Sequence, residues 1–254
     1  MTPLLRGAYR VAMRNALVWR RFLLSSLVGN LGQPVLFLLA FGLGFGPQGG
    51  APPGVTYLQF IAPGLAMSAV MYSAAFEATY GSYTRLATQS TFEGILMTPV
   101  SVEALALGEI LWGGFKGFVS GAIMVACLPL FGLWPSPWAA GLLPLLFLAG
   151  ILFAALGLAM TALASNYEFF NYFLSLFITP LYLFSGVFFR LDALSGWARP
   201  LAEALPLTPY VTLARMFCDG RFDSPVLPPL ASALCVAAGA TAGGILLLRR
   251  RMIQ

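Results

Sequence analysis

Thr91-Phe92-Glu93-Gly94-Ile95-Leu96-Met97-Thr98-Pro99-Val100-Ser101 lies between two long apolar runs, roughly 57–76 and 105–133. The interval around it carries Glu77, Arg85, Glu93 and Glu103, in a chain that is only 9% charged. Unpaired charges and free backbone groups are costly in hydrocarbon. The interval is therefore expected in water, on one face of a membrane, and it is too long for a simple turn between two spans. Glu93 suits a first helical turn, Ile95-Leu96-Met97 follow as an apolar set, and Pro99 enforces a stop. Two readings fit these residues: a short structured element that offers a docking surface, and an ordinary interhelical loop.

Working outward, the composition places the whole chain in a membrane. Of 254 residues, 59% are hydrophobic, and the mean hydropathy is +0.84. A soluble domain carries about 25% charged residues. The formal charge is +5, but on a membrane protein its position matters more than its total, because cations accumulate in cytoplasmic loops. Nucleic acid is thus a poor candidate partner. The three cysteines, Cys127, Cys218 and Cys235, are odd in number and have no CxxC spacing, which supports neither a disulfide framework nor a zinc site. Histidine is absent. That removes Ser-His and Cys-His catalysis, histidine metal ligation and histidine proton relays. No cleavable signal peptide is expected, since the first apolar run is too long for one.

Residues 3–21 alternate Arg6, Arg10, Arg14, Arg20 and Arg21 with Leu4, Leu5, Tyr9, Val11, Met13, Leu17, Val18 and Trp19. The i, i+4, i+8 spacing of Arg6, Arg10 and Arg14 puts them on one helical face. A basic amphipathic helix lying on the anionic membrane surface fits, as does a basic tail. A helix needs about 20 apolar residues to cross the bilayer. Six candidates follow: 22–46 (interrupted by Asn30, Gln33 and Pro34), 57–76 with an extension towards 84, 105–133, 139–164, 169–189 and 228–248. Residues 190–227 differ. They hold four acids and four arginines among Leu191, Leu194, Trp197, Leu201 and Leu205, with Pro200, Pro206 and Pro209 breaking the run. Two short helices joined at 205–209 and half-sunk in the opposite interface are expected.

Six spans put both termini on one side. That side carries the five N-terminal arginines, Arg85 and Arg249-Arg250-Arg251; the other carries four arginines, each matched by an acid. The positive-inside bias then places the termini and the 77–104 interval in the cytoplasm and 190–227 outside. With no internal repeat, the expectation is an all-α membrane protein with one domain over 1–254: an interfacial helix, spans one to five over 22–189, the 190–227 segment, and span six with a basic C-terminus over 228–254.

Span three has the most informative polar pattern. Glu109 and Lys116 are seven apart, within about 20° on a helix and roughly 10 Å along it. Two readings compete, a residue lining a pathway and a packed Glu109–Lys116 pair, since a lone buried charge is costly. Gly113, Gly117 and Gly121 form a small-xxx-small face that permits close helix contact, and Gly239-xxx-Gly243 repeats the pattern in the last span. Asn30 and Gln33 in span one are further pathway candidates, because polar groups at that depth face protein or a cavity. Span five carries Phe173, Phe177, Phe184 and Phe188. They could line a path for an amphipathic substrate or be ordinary core and lipid-facing aromatics.

Lys116 is the only lysine and is preceded by Phe115, so no GxxxxGK[ST] phosphate loop exists. An autonomous channel or secondary transporter remains an alternative to a driven permease. An intramembrane enzyme lacks the histidine or paired acids it would need.

These residues resemble a known family. Arg10 to Gly46, with Trp19-Arg20-Arg21, Gly29-Asn30-Leu31 and Gly42-Leu43-Gly44-Phe45-Gly46, is similar to the start of ABC-2 type export permeases, on the branch of nodulation lipo-oligosaccharide and daunorubicin-type drug exporters. Phe92 to Ser101 followed by Leu107-Gly108-Glu109-Ile110-Leu111-Trp112 resembles that family's YEG-x-L-x-TP-(L/V)-S and LGEI-(L/M)-W segment, with Phe92 for the usual tyrosine. Leu183 to Phe189 and Leu205-Pro206-Leu207-Thr208-Pro209 resemble two further elements, with Arg190 where proline is common and Pro209 where histidine is common. The resemblance covers nearly the whole chain. It implies a six-span permease of the bacterial inner membrane that dimerises and recruits two ATPase subunits. Those subunits hold the ATP and Mg; this chain binds no cofactor. It also implies that Phe92, Glu93, Gly94, Ile95, Leu96, Met97, Thr98, Pro99, Val100 and Ser101 form the ATPase-coupling interface. Re-entrant extracellular helices are implied near 191–215, and an exported glycolipid, lipo-oligosaccharide or drug as substrate.

Overall fold

The computed structural model describes residues 2–23, 36–41, 44, 55–134, 136–222 and 225–253. The first span, with Asn30, Gln33 and the Pro34 kink, therefore lies almost entirely outside the described residues. Within them every regular element is helical. The elements are α1 (Pro3–Arg20), α2 (Tyr57–Thr88), α3 (Thr91–Leu96), α4 (Val102–Phe131), α5 (Pro137–Leu163), α6 (Phe169–Phe184), α7 (Ala198–Ala204), α8 (Thr208–Asp219) and α9 (Leu227–Ile253). Four of them, α2, α4, α5 and α9, are long and apolar enough to cross a membrane.

The very apolar α5 packs against α2, α4 and α9. Glycines set the spacing at its interface with α4. A Cβ added to Gly113 would fall 2.7 Å from the Ala154 Cβ, and one on Gly150 would fall 2.5 Å from the Gly114 carbonyl oxygen. Gly117 and Gly121 of the same stripe abut Val70 of α2. The small-xxx-small face on span three is thus used twice, against two neighbours. Gly239 and Gly243 of α9 face open space instead, and it is Gly244 that meets α5, at Ala155.

α1 lies along α4. Gly7, Ala8, Val11 and Asn15 are its buried residues, and Gly7 and Gly108 of the two helices allow the approach. Leu5, Tyr9, Met13 and Leu17, four apart, remain exposed. A helix buried on one stripe and apolar on a second suits a membrane surface.

α2 departs most from the sequence reading. The interval from 77 was expected in water, yet the helix runs unbroken to Thr88. Glu77–Gly81 and Thr84–Thr88 are wound as π-helix. A π-turn re-aims side chains and frees carbonyls from the regular ladder. Thr161 of α5 donates to two of these, at 2.7 Å to the Ala78 oxygen and 3.2 Å to that of Thr79. Of the four charges that argued for water, Glu77 and Arg85 are neutralised inside the protein, by each other and by Lys116 and Glu109 of α4, whereas Glu93 stays exposed.

α6 spans sixteen residues, short of the expected 169–189 and of the roughly 20 residues a perpendicular span needs. It stops at Phe184, before the left-handed Gly186 at φ +77°. As expected for 190–227, two short helices follow, joined at Leu205–Leu207. Arg215 of α8 anchors them. Its guanidinium donates to the carbonyls of Phe60, Gly186 and Val187 and stacks 3.8 Å above the Phe60 ring. At the other end, Arg251 of α9 donates to the Thr161, Ala162 and Ala164 carbonyls and closes the C-terminus of α5.

Candidate functional site

Four side chains of alternating sign form a chain between α2 and α4. Glu109 Oε2 accepts from Arg85 Nη2 at 2.7 Å and from Nε at 3.1 Å. Arg85 Nη1 donates to Glu77 Oε1 at 3.0 Å. Lys116 Nζ donates to Glu77 Oε2 at 3.1 Å. Two acids and two cations leave no net charge, which is the condition for burying them. Glu109 is 1% exposed, and every acceptor it offers is used: Asn15 of α1 donates to Oε1 at 2.7 Å, and Ser82 to Oε2 at 2.8 Å. The Trp112 indole donates to Glu77 at 2.8 Å.

The local sequence makes this arrangement. Glu109, Trp112 and Lys116 fall on one face of α4 by i, i+3, i+7 spacing. Glu77 and Arg85 are eight apart, about 80° around an ideal helix, and the two π-turns bring both to α4. At 1.5 Å per residue, Glu109 and Lys116 lie about 10 and 21 Å from the start of a helix about 45 Å long. The chain of charges thus runs from the basic end of the bundle inward. Lys116 and Glu109 share a face as their spacing indicates, but they are not paired with each other. Arg85 and Glu77, assigned to water by the sequence reading, stand between them.

α3 sits directly beyond. Ser90, in the left-handed region at φ 47°, turns the chain sharply from α2 into α3. Phe92 is fully buried and fixes α3 to the core. Glu93, Gly94, Met97, Thr98 and Pro99 are left open, Met97 at 89% exposure. Ile95, Leu96 and Val100 are half-buried. Ser101 caps α4 by accepting from the Ala104 amide at 3.2 Å. This short helix is rooted by one phenylalanine between the ends of two long helices.

Beside the charges a cavity of about 310 Å³ opens between α1, α2 and α4, lined by Arg14, Trp19, Glu77, Arg85, Trp112 and Lys116 among others. The buried Trp19 Nε1 has no hydrogen-bond partner. Lys116 faces this cavity, whereas Glu109 is sealed behind it. The aromatic stripe of α6 divides. Phe173 is buried and stacks on Phe177 at 5.5 Å, Phe184 is exposed, and Phe188 packs on Tyr182 at 4.9 Å. These rings do not form one continuous lining. The described residues contain no group of three or more acids and cysteines placed to hold a metal.

Four apolar helices of spanning length define a helical membrane protein. Residues 8–217 match the ABC-2 type transporter family, and the chain belongs to it as a membrane permease component. It is 34% identical to Nodulation protein J of Sinorhizobium fredii over 227 residues, 89% of this chain and 86% of that one. It is 32% identical to Nodulation protein J of Rhizobium meliloti over 242 residues, 94% and 92% of the two chains. It is 27% identical to the inner membrane transport permease YadH of Escherichia coli over 209 residues, 82% and 80%.

Proposed function

We propose that this chain is the permease half of an ATP-driven exporter in a bacterial inner membrane. Two copies assemble with two separate ATPase subunits and move an amphipathic substrate, a glycolipid, lipo-oligosaccharide or drug, outward. In this reading the sequence-based first span, which falls outside the described residues, and the short α6 bring the crossings to six, and both termini lie in the cytoplasm. ATP and Mg are held by the partner. This chain supplies the path and the lever.

One observation carries the reading: α3 is open to solvent at Glu93, Gly94, Met97, Thr98 and Pro99 while Phe92 roots it in the core between the ends of α2 and α4. An ATPase that closes on nucleotide and pushes α3 would tilt α2 and α4 together as rigid bodies. The neutral, fully bonded chain of Glu109, Arg85, Glu77 and Lys116 resists slippage between them. Lys116, Arg14 and the two tryptophans of the adjacent cavity stand where a substrate head leaving the inner leaflet would enter.

The test is co-purification with a candidate ABC ATPase subunit co-expressed with this chain. The wild type should retain it, and Glu93→Lys with Gly94→Pro should lose it while remaining folded. A complex unaffected by that double change would refute docking through α3.

A further inference from the structure

Four ionisable side chains line the cavity of about 310 Å³ between α1, α2 and α4: Arg14, Glu77, Arg85 and Lys116. Glu77 is shared by Arg85 and Lys116, and Arg85 is also held by Glu109 from behind the wall. Two acids therefore balance two of the three cations, and Arg14 is the third. Among the described residues Arg14 makes no ion pair, and its one side-chain hydrogen bond runs from Nη1 to the neutral Asn15 Oδ1 at 3.1 Å. Its other guanidinium N–H groups remain for an acceptor. Arg10 and Arg21, four residues before it and seven after, share its side of α1 and are exposed. The cavity is thus electropositive, with one cation uncommitted to any acid.

The rest of the wall narrows the kind of anion. Trp19 lines the cavity, and its indole N–H is buried without a partner. The ring is held edge-on against Trp112 and Phe115, at 5.9 and 6.2 Å. A buried donor left unserved is costly, and an acceptor oxygen relieves the cost. On the α1 side the wall is Val18 and Phe22, 51% and 64% exposed. They adjoin Leu17, the last of the exposed apolar residues that suit α1 to a membrane surface. An inorganic anion gains nothing from exposed apolar side chains, whereas a phosphate carrying acyl chains does. The volume is at the low end of the roughly 300–1,000 Å³ of ligand pockets, enough for a headgroup with its chains left outside.

We propose that this cavity binds the headgroup of an anionic phospholipid of the surrounding leaflet, of the phosphatidylglycerol class. Arg14 holds the phosphate through charge-assisted N–H bonds, the Trp19 indole donates one more, and the acyl chains run past Val18 and Phe22. Lys116 and Arg85 stay with their carboxylates. Basic pockets between helices at a membrane surface hold such headgroups elsewhere. The site itself rests on α1, α2 and α4 alone. The export reading supplies only the leaflet, the cytoplasmic one, and it implies that a cargo head entering by this cavity displaces the lipid.

The test is native mass spectrometry of the full chain in a neutral detergent, titrated with phosphatidylglycerol, phosphatidylcholine or inorganic phosphate. A saturable first phosphatidylglycerol adduct is expected, about tenfold or more tighter than the phosphatidylcholine one and not displaced by phosphate. Arg14→Gln should weaken it about tenfold or more, the loss of charged hydrogen bonds. Trp19→Phe keeps a ring, removes the N–H and should weaken it about threefold or more, which keeps the test decisive if Arg14→Gln proves unstable. Arg10→Gln, off the cavity wall, should change it less than about twofold. Three results would each overturn the proposal: equal affinity for the two lipids, displacement by inorganic phosphate, or affinity unchanged by Trp19→Phe or Arg14→Gln. Equal losses from Arg10→Gln and Arg14→Gln would also overturn it, showing a diffuse basic surface in place of a site. Binding is read without ATPase or nucleotide, so its failure is distinguishable from a failure of the exporter reading.

Discussion

Glu109 of α4 and Arg85 of α2 meet at 2.7 Å, with the carboxylate sealed from solvent. Removing one partner of such a pair leaves an uncompensated buried charge, at a cost of about 3–5 kcal/mol, whereas removing both together costs far less. Arg85→Leu or Glu109→Leu alone should therefore lower the thermal midpoint of the detergent-solubilised protein sharply. The double variant should recover most of the loss, because it leaves the neutral Glu77–Lys116 pair intact. Equal losses in all three would show that the four charges do not act as a chain.

Two glycine positions separate packing from helix propensity. Gly150→Ala would press a Cβ against the Gly114 backbone, and overpacking of this kind costs about 1–3 kcal/mol. Gly239→Ala meets open space and should be neutral or stabilising by up to about 1 kcal/mol. Thermal unfolding of the two variants side by side checks both signs.

Phe92 and Met97 sit five residues apart with opposite fates. Phe92→Ala should destabilise by about 3–5 kcal/mol as its cavity opens under α3. Met97→Ala removes an exposed side chain and should stay within about 0.5 kcal/mol, while weakening association with the ATPase. A stable Phe92→Ala protein would contradict the anchoring of α3.

Thr161→Val keeps the shape of the side chain and deletes the hydroxyl that serves the Ala78 and Thr79 carbonyls. Leaving buried acceptors unserved costs about 1–3 kcal/mol. Hydrogen exchange in the 77–88 segment should rise in this variant, because the π-wound end of α2 loses its support.

The sequence shows clearly what depends on periodicity and sign. The spans ending α4, α5 and α9, the two short helices after 190, the glycine stripe on α4 and the shared face of Glu109 and Lys116 all follow from spacing that a helix must obey. The partners of those charges do not. Glu77 and Arg85 read as water-borne because their neutralising contacts come from a helix 24 residues or more further along, and because nothing in the residues 77–88 announces two π-turns. Likewise the span-five phenylalanines share a face on an ideal helix, but a π-turn at Leu174–Ile178 and the stop at Phe184 separate them.

The central claim is that α3 projects into the cytoplasm and the α7–α8 segment faces outside. Single cysteines at Met97 and Trp197, two exposed positions at opposite ends, in a background with Cys127, Cys218 and Cys235 all replaced by serine, measure it directly with a membrane-impermeant maleimide. The account predicts that Met97→Cys labels in inverted vesicles and not in intact spheroplasts, and that Trp197→Cys does the reverse. Labelling of Met97→Cys from outside, or from neither side, would contradict it.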